Sequence, residues 1–180
     1  PGGEGKAIRL DFPPTSIPIF LATLAAKSLE YTGASANGWL GTSFSPDYAE
    51  AHLAHIREGA RAAGRSIEEI ELHVACPVAI GERVEQMIDA RRYGVAFSMG
   101  AMGTRTTNFY NDALQRAGFM DDAKAIQKLW LAGKRDQATK RVPDNMVTKY
   151  GAIGTPEMVL ERFRLYRDVG IASLTLGLDV

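Results

Sequence analysis

The stretch Ile17-Pro-Ile-Phe-Leu-Ala-Thr-Leu-Ala-Ala-Lys-Ser-Leu-Glu-Tyr-Thr-Gly33 decides the fold class. Residues 17–22 form a short apolar run bounded by turn residues, the pattern of a buried strand. Pro18 is tolerated there because the first residues of a strand can lack a ladder donor. Ala25–Thr32 are good helix formers with Ala25 and Leu29 one turn apart, and Gly33 predicts the helix end. A strand that turns directly into a helix opens a βα unit.

The pattern repeats downstream. Residues 37–41, Asn37-Gly-Trp-Leu-Gly41, predict a second, very short strand. Ser45-Pro-Asp47 predicts a helix start, with Ser45 as N-cap, Pro46 at the first helical position and Asp47 at the positive end of the dipole. That helix runs through Ala49–Ala63 and stops at Gly64. Arg65-Ser-Ile-Glu-Glu-Ile70 is a capped turn. Over residues 71–80, Leu72, Val74, Cys76, Val78 and Ile80 share one face at period two, which predicts a third strand. Gly81 ends it, and residues 82–92 predict a helix.

Residues 93–150 are too long for a plain connection. They predict helices over 108–117, 121–131 and 136–141, separated by Gly118, Gly133 and Pro143. Thr155-Pro-Glu157 then starts an amphipathic helix whose Val159, Phe163 and Tyr166 form a core stripe. Gly170 closes it, and residues 171–178 predict the last strand. An extended piece is also expected over Ala7–Phe12. Strands that alternate with helices long enough to cross over predict a parallel sheet.

Composition excludes several classes. The 21 basic and 21 acidic residues cancel, which argues against a general nucleic-acid binder. With 46% hydrophobic and 23% charged residues, the chain is that of a globular domain. Cys76 is the single cysteine, so no intrachain disulfide or cysteine-built zinc site can form, and a reducing, cytoplasmic compartment is expected. No apolar stretch is long enough to predict a membrane span, and no signal peptide is expected. The chain opens on Pro1 and not on Met, which suggests processing or a piece of something longer.

Each candidate for chemistry has a plainer reading beside it. The loop 22–28 follows a strand and opens a helix, and its small side chains let backbone N–H groups approach an anion. It reads equally as a βα turn packed with small residues. His52 and His55 are spaced to share a helix face and pair on a metal, or to sit on a solvated surface. His73 is a structural or surface histidine before it is a base, and Cys76 a buried small hydrophobe. Asp89, Arg91, Arg92 and Tyr93 form a polar cluster or a solvated helix end. In the Gly100–Asn111 tract, Arg105 is suited to clamp an anion and Tyr110 to flank a ring, although loop and cap chemistry also accounts for the composition.

Pro18–Gly33 followed by Ala36-Asn-Gly-Trp39, the helix ending in Ala63-Gly-Arg65, and Gly154-Thr-Pro-Glu157 with Gly170-Ile171 resemble the luciferase-like monooxygenase superfamily. The resemblance is closer to its coenzyme F420-dependent oxidoreductase branch, whose insertion helices the tract Met102-Gly-Thr-Arg105 to Asn108-Phe-Tyr-Asn111 is similar to. It implies an α/β fold of the TIM-type (β/α)8 class, which typically needs about 250 residues. Four strands in 180 residues then imply the C-terminal half, strands five to eight. The chain would be one partial domain, 1–180, with a helical insertion at about 93–150.

The resemblance also implies a site. Ala22, Thr23, Leu24, Ala25, Ala26 and Lys27 match the family's cofactor-phosphate loop, and Gly41 and Thr42 match positions lining the same cofactor. Arg105 and Tyr110 are candidate substrate-pocket residues. The implied cofactor is coenzyme F420, with FMN as the alternative, and the implied reaction is hydride transfer between the reduced cofactor and a small organic substrate. No catalytic acid is assigned in this half; His73 is the candidate the residues offer. No nucleic-acid or membrane partner is implied. An open half-barrel implies a homo-oligomer, or pairing with an N-terminal half, and an inactive fragment is the reading of a different class.

Overall fold

The computed structural model describes residues 15–178. The extended piece expected over 7–12 lies outside them. Five strands and eight α-helices follow in the order β1 (Phe20–Leu21), α1 (Ala26–Ser35), β2 (Gly38–Gly41), α2 (Glu50–Ala62), β3 (Glu71–Ile80), α3 (Val84–Gly100), α4 (Phe109–Leu114), α5 (Met120–Leu131), α6 (Arg135–Lys140), α7 (Asp144–Thr148), β4 (Ala152–Gly154), α8 (Pro156–Asp168) and β5 (Ser173–Leu178). All strand pairs are parallel, as the alternation predicts.

β3 is the central strand. Val74 pairs with both Gly41 and Leu174, and Val78 with both Ala152 and Leu178. β5 therefore lies along one edge of β3, while β2 and β4 share the other, β2 along the first half and β4 at the tip. β1 extends the sheet beyond β2. It is much shorter than the expected 17–22. Ile19 hands its N–H to the Asn37 side chain at 2.9 Å and its carbonyl to the Asn37 and Gly38 amides, so a side chain replaces the ladder there.

The two faces of the sheet differ. Leu72, Val74, Cys76 and Val78 point into a core filled by Leu29 of α1, Ile56 of α2, Val159 and Tyr166 of α8, and the rings of Trp39 and Phe44. The opposite face presents exposed Ala75, Pro77 and Thr175, with Leu40 at 44% exposure. A second core under the helical segment joins Met99, Leu114, Ile126, Met146 and Ile153. Ile80, expected on the inner face, is exposed because the first core ends at Val78.

Several local expectations give way to tertiary contacts. Gly33 does not end α1. A Cβ on it would lie 2.0 Å from the Ile56 carbonyl oxygen, and one on Gly59 would lie 1.7 Å from that of Glu30. The two glycines let the backbones of α1 and α2 touch, and packing overrides helix propensity. Ser45 makes no cap hydrogen bond; its hydroxyl accepts from Arg162 at 3.2 Å and lies 3.4 Å from Asp47. Only a 3₁₀ turn follows it, Pro46–Tyr48, before α2 begins.

α3 continues eight residues past Arg92, because Ala96 and Met99 extend the buried stripe begun by Ile88. The helix expected over 108–117 is regular as α4 and kinks within Gln115–Phe119, where Gly118 takes φ +96° and separates it from α5 as expected. α7 and β4 are additional elements. The expected capped turn is there, closed by a reciprocal Ser66–Glu69 cap, and Thr155 caps α8 through the Met158 amide.

Candidate functional site

β1 and β2 run side by side with Leu21 opposite Trp39. The loop that leaves β1 and the residues that end β2 therefore emerge together at the C-terminal edge of the sheet, bringing Ala22–Lys27 beside Gly41 and Thr42. Active sites of parallel α/β folds collect at this edge because the strand ends open onto the crossover loops.

The loop is anchored by its carbonyls. Trp39 Nε1 donates to the Thr23 oxygen at 2.9 Å, and Arg116 Nη2 donates to the Leu24 oxygen at 2.7 Å. Thr32 gives its hydroxyl proton to the Ser28 carbonyl at 2.9 Å, so the 2.7 Å contact between the Thr23 and Thr32 hydroxyls has Thr23 as donor. The first intrahelical bond of α1 runs from the Leu29 amide to the Ala25 carbonyl, and Ala25 supplies no side-chain cap. The amides of Ala26, Lys27 and Ser28 are thus the uncapped donors of a helix N-terminus. The Lys27 side chain turns along the helix to Glu30 at 2.8 Å and is 91% exposed.

Beyond Gly41, Thr42 is exposed and Ser43 takes φ +51°, the one non-glycine residue with positive φ among the described residues. Such a conformation costs a non-glycine residue about 1–3 kcal/mol and persists where surrounding structure enforces it. Ser43 opens onto a cavity of 460 Å³ between the open face of β3 and α3. Its walls are mostly apolar, with Ala75, Pro77, Val95 and Met99, and Arg91 and Tyr150 add polar groups. Arg91 Nη2 donates to the Val78 carbonyl at 3.0 Å. Burial pushes the Tyr150 hydroxyl well above its ordinary range, so it stays protonated.

The other candidates are dispersed. His52 is 1% exposed, its ring 5.5 Å from Trp39 and 5.9 Å from Phe44, and neither nitrogen has a hydrogen-bond partner. Burial, followed by the nearby Arg116 charge, lowers its pKa to about 4. His55 faces Glu30 at 3.7 Å instead. Among the described residues no cluster of three or more His, Cys, Asp or Glu is placed to hold a metal ion. His73 pairs with Leu40 near the C-terminal ends of β1 and β2, its ring 5.1 Å from that of Phe20, with Nδ1 2.8 Å from the Ser173 hydroxyl and Nε2 3.0 Å from Glu71. Cys76 is fully buried, and burial raises its pKa.

Asp89 binds Arg92 at 2.8 Å, and Arg92 also reaches Asp144 and the Val142 carbonyl, while Tyr93 sits against Trp130. Arg105 lines a shallow depression with Lys124, Gln127 and Lys128 on α5. Tyr110 packs against the second core. Neither lines the 460 Å³ cavity. Residues that sequence reasoning missed are Ser43, Arg116 and Tyr150. They are scattered through the chain at no motif spacing, and an isolated Arg before Gly118 carries no local signal.

Residues 4–173 match the luciferase-like monooxygenase family, and the chain belongs to that family. One relative, at 26% identity over 178 residues, is a Mycobacterium tuberculosis protein that carries the name of a coenzyme F420-dependent oxidoreductase; the match covers 97% of this chain and 51% of that protein. Another is the 5,10-methylenetetrahydromethanopterin reductase of Methanopyrus kandleri, at 27% identity, covering 91% of this chain and 45% of the reductase. The chain spans about half the length of the curated relatives it matches. In structure it resembles the coenzyme F420-dependent tetrahydromethanopterin reductase of M. kandleri, with TM-score 0.68 at 24% identity over 91% of this chain and 45% of that one. It also resembles an F420-dependent secondary alcohol dehydrogenase, with TM-score 0.62 at 15% identity over 92% of this chain and 44% of that one. The fold is therefore α/β with parallel strands, similar to the barrel of the F420-dependent reductases. No helix among the described residues is long and apolar enough to cross a membrane.

The residues present fit a phosphate-bearing cofactor. The N-terminus of α1 offers amides that no side chain caps, flanked by the small side chains of Ala25 and Ala26. A phosphate oxygen there would take hydrogen bonds that the chain leaves unmade, at the positive end of the helix dipole.

Proposed function

We propose that this chain forms the cofactor-phosphate side of a deazaflavin-dependent oxidoreductase of the luciferase-like class. The observation that carries the reading is the uncapped N-terminus of α1, held at the C-terminal ends of β1 and β2 by Trp39 and Arg116. The F420-dependent relatives favour coenzyme F420 over FMN as its ligand. The amides of Ala26, Lys27 and Ser28 bind the phosphate, and Ala22–Ala25, Gly41 and Thr42 line the approach. Lys27 contributes its backbone amide more than its side chain, which Glu30 holds.

The cofactor supplies hydride chemistry when bound; the protein binds, orients and shields. In this reading the cavity beyond Ser43 receives part of a small organic substrate. Its apolar walls exclude water, and Tyr150, protonated, offers a hydrogen bond to a substrate oxygen. Arg105 and Tyr110 stay outside this cavity and are not assigned to the substrate.

β1, β2, β3 and β5 correspond in this reading to strands five to eight of a barrel. The uncovered sheet face, with Leu40, Ala75, Pro77 and Thr175, is then the barrel interior. Closing it requires an N-terminal half or a second copy, which would also cover the free strand edges. Titration with coenzyme F420 and with FMN, followed by absorbance, tests the cofactor reading. Saturable binding of F420 in preference to FMN is the expected result; preference for FMN makes the protein a flavin enzyme, and binding of neither refutes a cofactor role. Light scattering tests the closure, and a monomeric 180-residue chain would count against it.

A further inference from the structure

We propose that Arg116 is a positioning residue that couples the helical segment after β3 to the anion-binding loop before α1; the inference rests on the cofactor-phosphate reading above. Arg116 sits just before the kink between α4 and α5, where Gly118 takes φ +96°. A Cβ on Gly118 would touch nothing within 4 Å, so the glycine serves conformation and not packing. A left-handed glycine lets one helix end and the next begin at an angle, with Arg116 in the last turn before it. Here the side chain reaches 92 positions back to Leu24, and its Nε donates to the Ala51 carbonyl at 3.2 Å.

The contact fixes more than a carbonyl. In a trans peptide the C=O and the following N–H point in opposite directions. Holding the Leu24 oxygen on Arg116 therefore directs the Ala25 N–H away from the guanidinium. Trp39, holding the Thr23 oxygen, does the same for the Leu24 N–H. Neither amide has a backbone partner among the described residues. These two amides precede the uncapped amides of Ala26–Ser28.

Charge supports the same reading. Arg116 is half-buried, burial works against its protonated form and the nearby Asp112 charge offsets this only in part, and among the described residues no carboxylate forms an ion pair with it. Its hydrogen bonds go to two neutral carbonyls, and among the described residues Nη1 makes none. A cation held beside a helix N-terminus opposes the dipole. A neutral donor would hold the loop at less electrostatic cost, whereas an anionic ligand offsets both positive contributions.

The test uses the wild-type protein with Arg116→Ala and Arg116→Lys variants, titrated with coenzyme F420 and with its phosphate-free deazaflavin core, alongside thermal melting. Arg116→Ala should weaken F420 binding about tenfold or more, the order expected for a charge-assisted hydrogen bond, with little change for the phosphate-free core. Arg116→Lys, which retains one donor and the charge, should recover part of the loss. Equal weakening for both ligands, or none for either, overturns the proposal. Should Arg116→Ala fail to fold, Arg116→Lys and Gly118→Ala carry the same comparison: a loss confined to F420 supports the coupling, and an unchanged ratio refutes it. A wild-type protein that binds the two ligands equally would instead overturn the phosphate reading itself, before Arg116 is at issue.

Discussion

Acidification should unfold this protein through His52. Its imidazole is buried against Trp39 and Phe44 without a partner for either nitrogen, and its pKa falls from 6.5 to about 4. The folded state thus binds this proton less readily than the unfolded chain does. The sign follows: the neutral histidine's contribution is complete above the unfolded pKa and is lost as pH falls through 6.5 towards about 4. The whole gap is worth about 3 kcal/mol, at about 1.4 kcal/mol per tenfold change in proton affinity. Between about pH 7 and about pH 5 the loss should be about 2 kcal/mol. Urea titrations at the two pH values, for wild type and His52→Leu, isolate the effect. Leucine fills the apolar site without a titratable group, and the acidic groups shared by both proteins cancel in the comparison. Wild type should lose about 2 kcal/mol more than the variant. Equal losses, or an NMR titration of His52 near its ordinary pKa, would show that water reaches the ring and refute the argument.

Gly59→Ala forces a Cβ into the Glu30 carbonyl at 1.7 Å, so α1 and α2 must separate, with an expected cost of about 3 kcal/mol; an unchanged urea midpoint would refute the close backbone contact. Asn108 caps α4 through the Tyr110 and Asn111 amides and donates to the Ser98 and Met99 carbonyls. Asn108→Ala should therefore destabilise by about 2–3 kcal/mol, measured in the same way. Thr23→Trp places bulk in the loop beside Gly41 and removes the donor to buried Thr32, so it should lower the melting temperature and weaken F420 affinity by about tenfold; unchanged affinity would remove the loop from the cofactor site.

Elements announced by local chemistry were legible in the sequence. The two-residue alternation of β3, the capped turn over 65–70, the Thr155-Pro156 start of α8 and the left-handed glycines at 64 and 170 each express a preference satisfied within a few residues. Their order was enough to set parallel strands with crossover helices. β4 was not legible, because three buried residues are too few to show a period. Nor was the continuation of α1 through Gly33, which depends on a glycine in another helix.

The sheet direction and the order of the elements other than α7 and β4 are thus properties of the sequence by itself, since they follow from backbone preferences and apolar periodicity. What only the tertiary structure decided is where charges and donors go. Lys27 turns to Glu30, Arg116 reaches Leu24 from 92 positions away, and His52 loses its water to two aromatic rings. These outcomes depend on distance and burial, which local preferences do not encode. Hydrogen bonding and desolvation act between groups that meet only once the chain has folded.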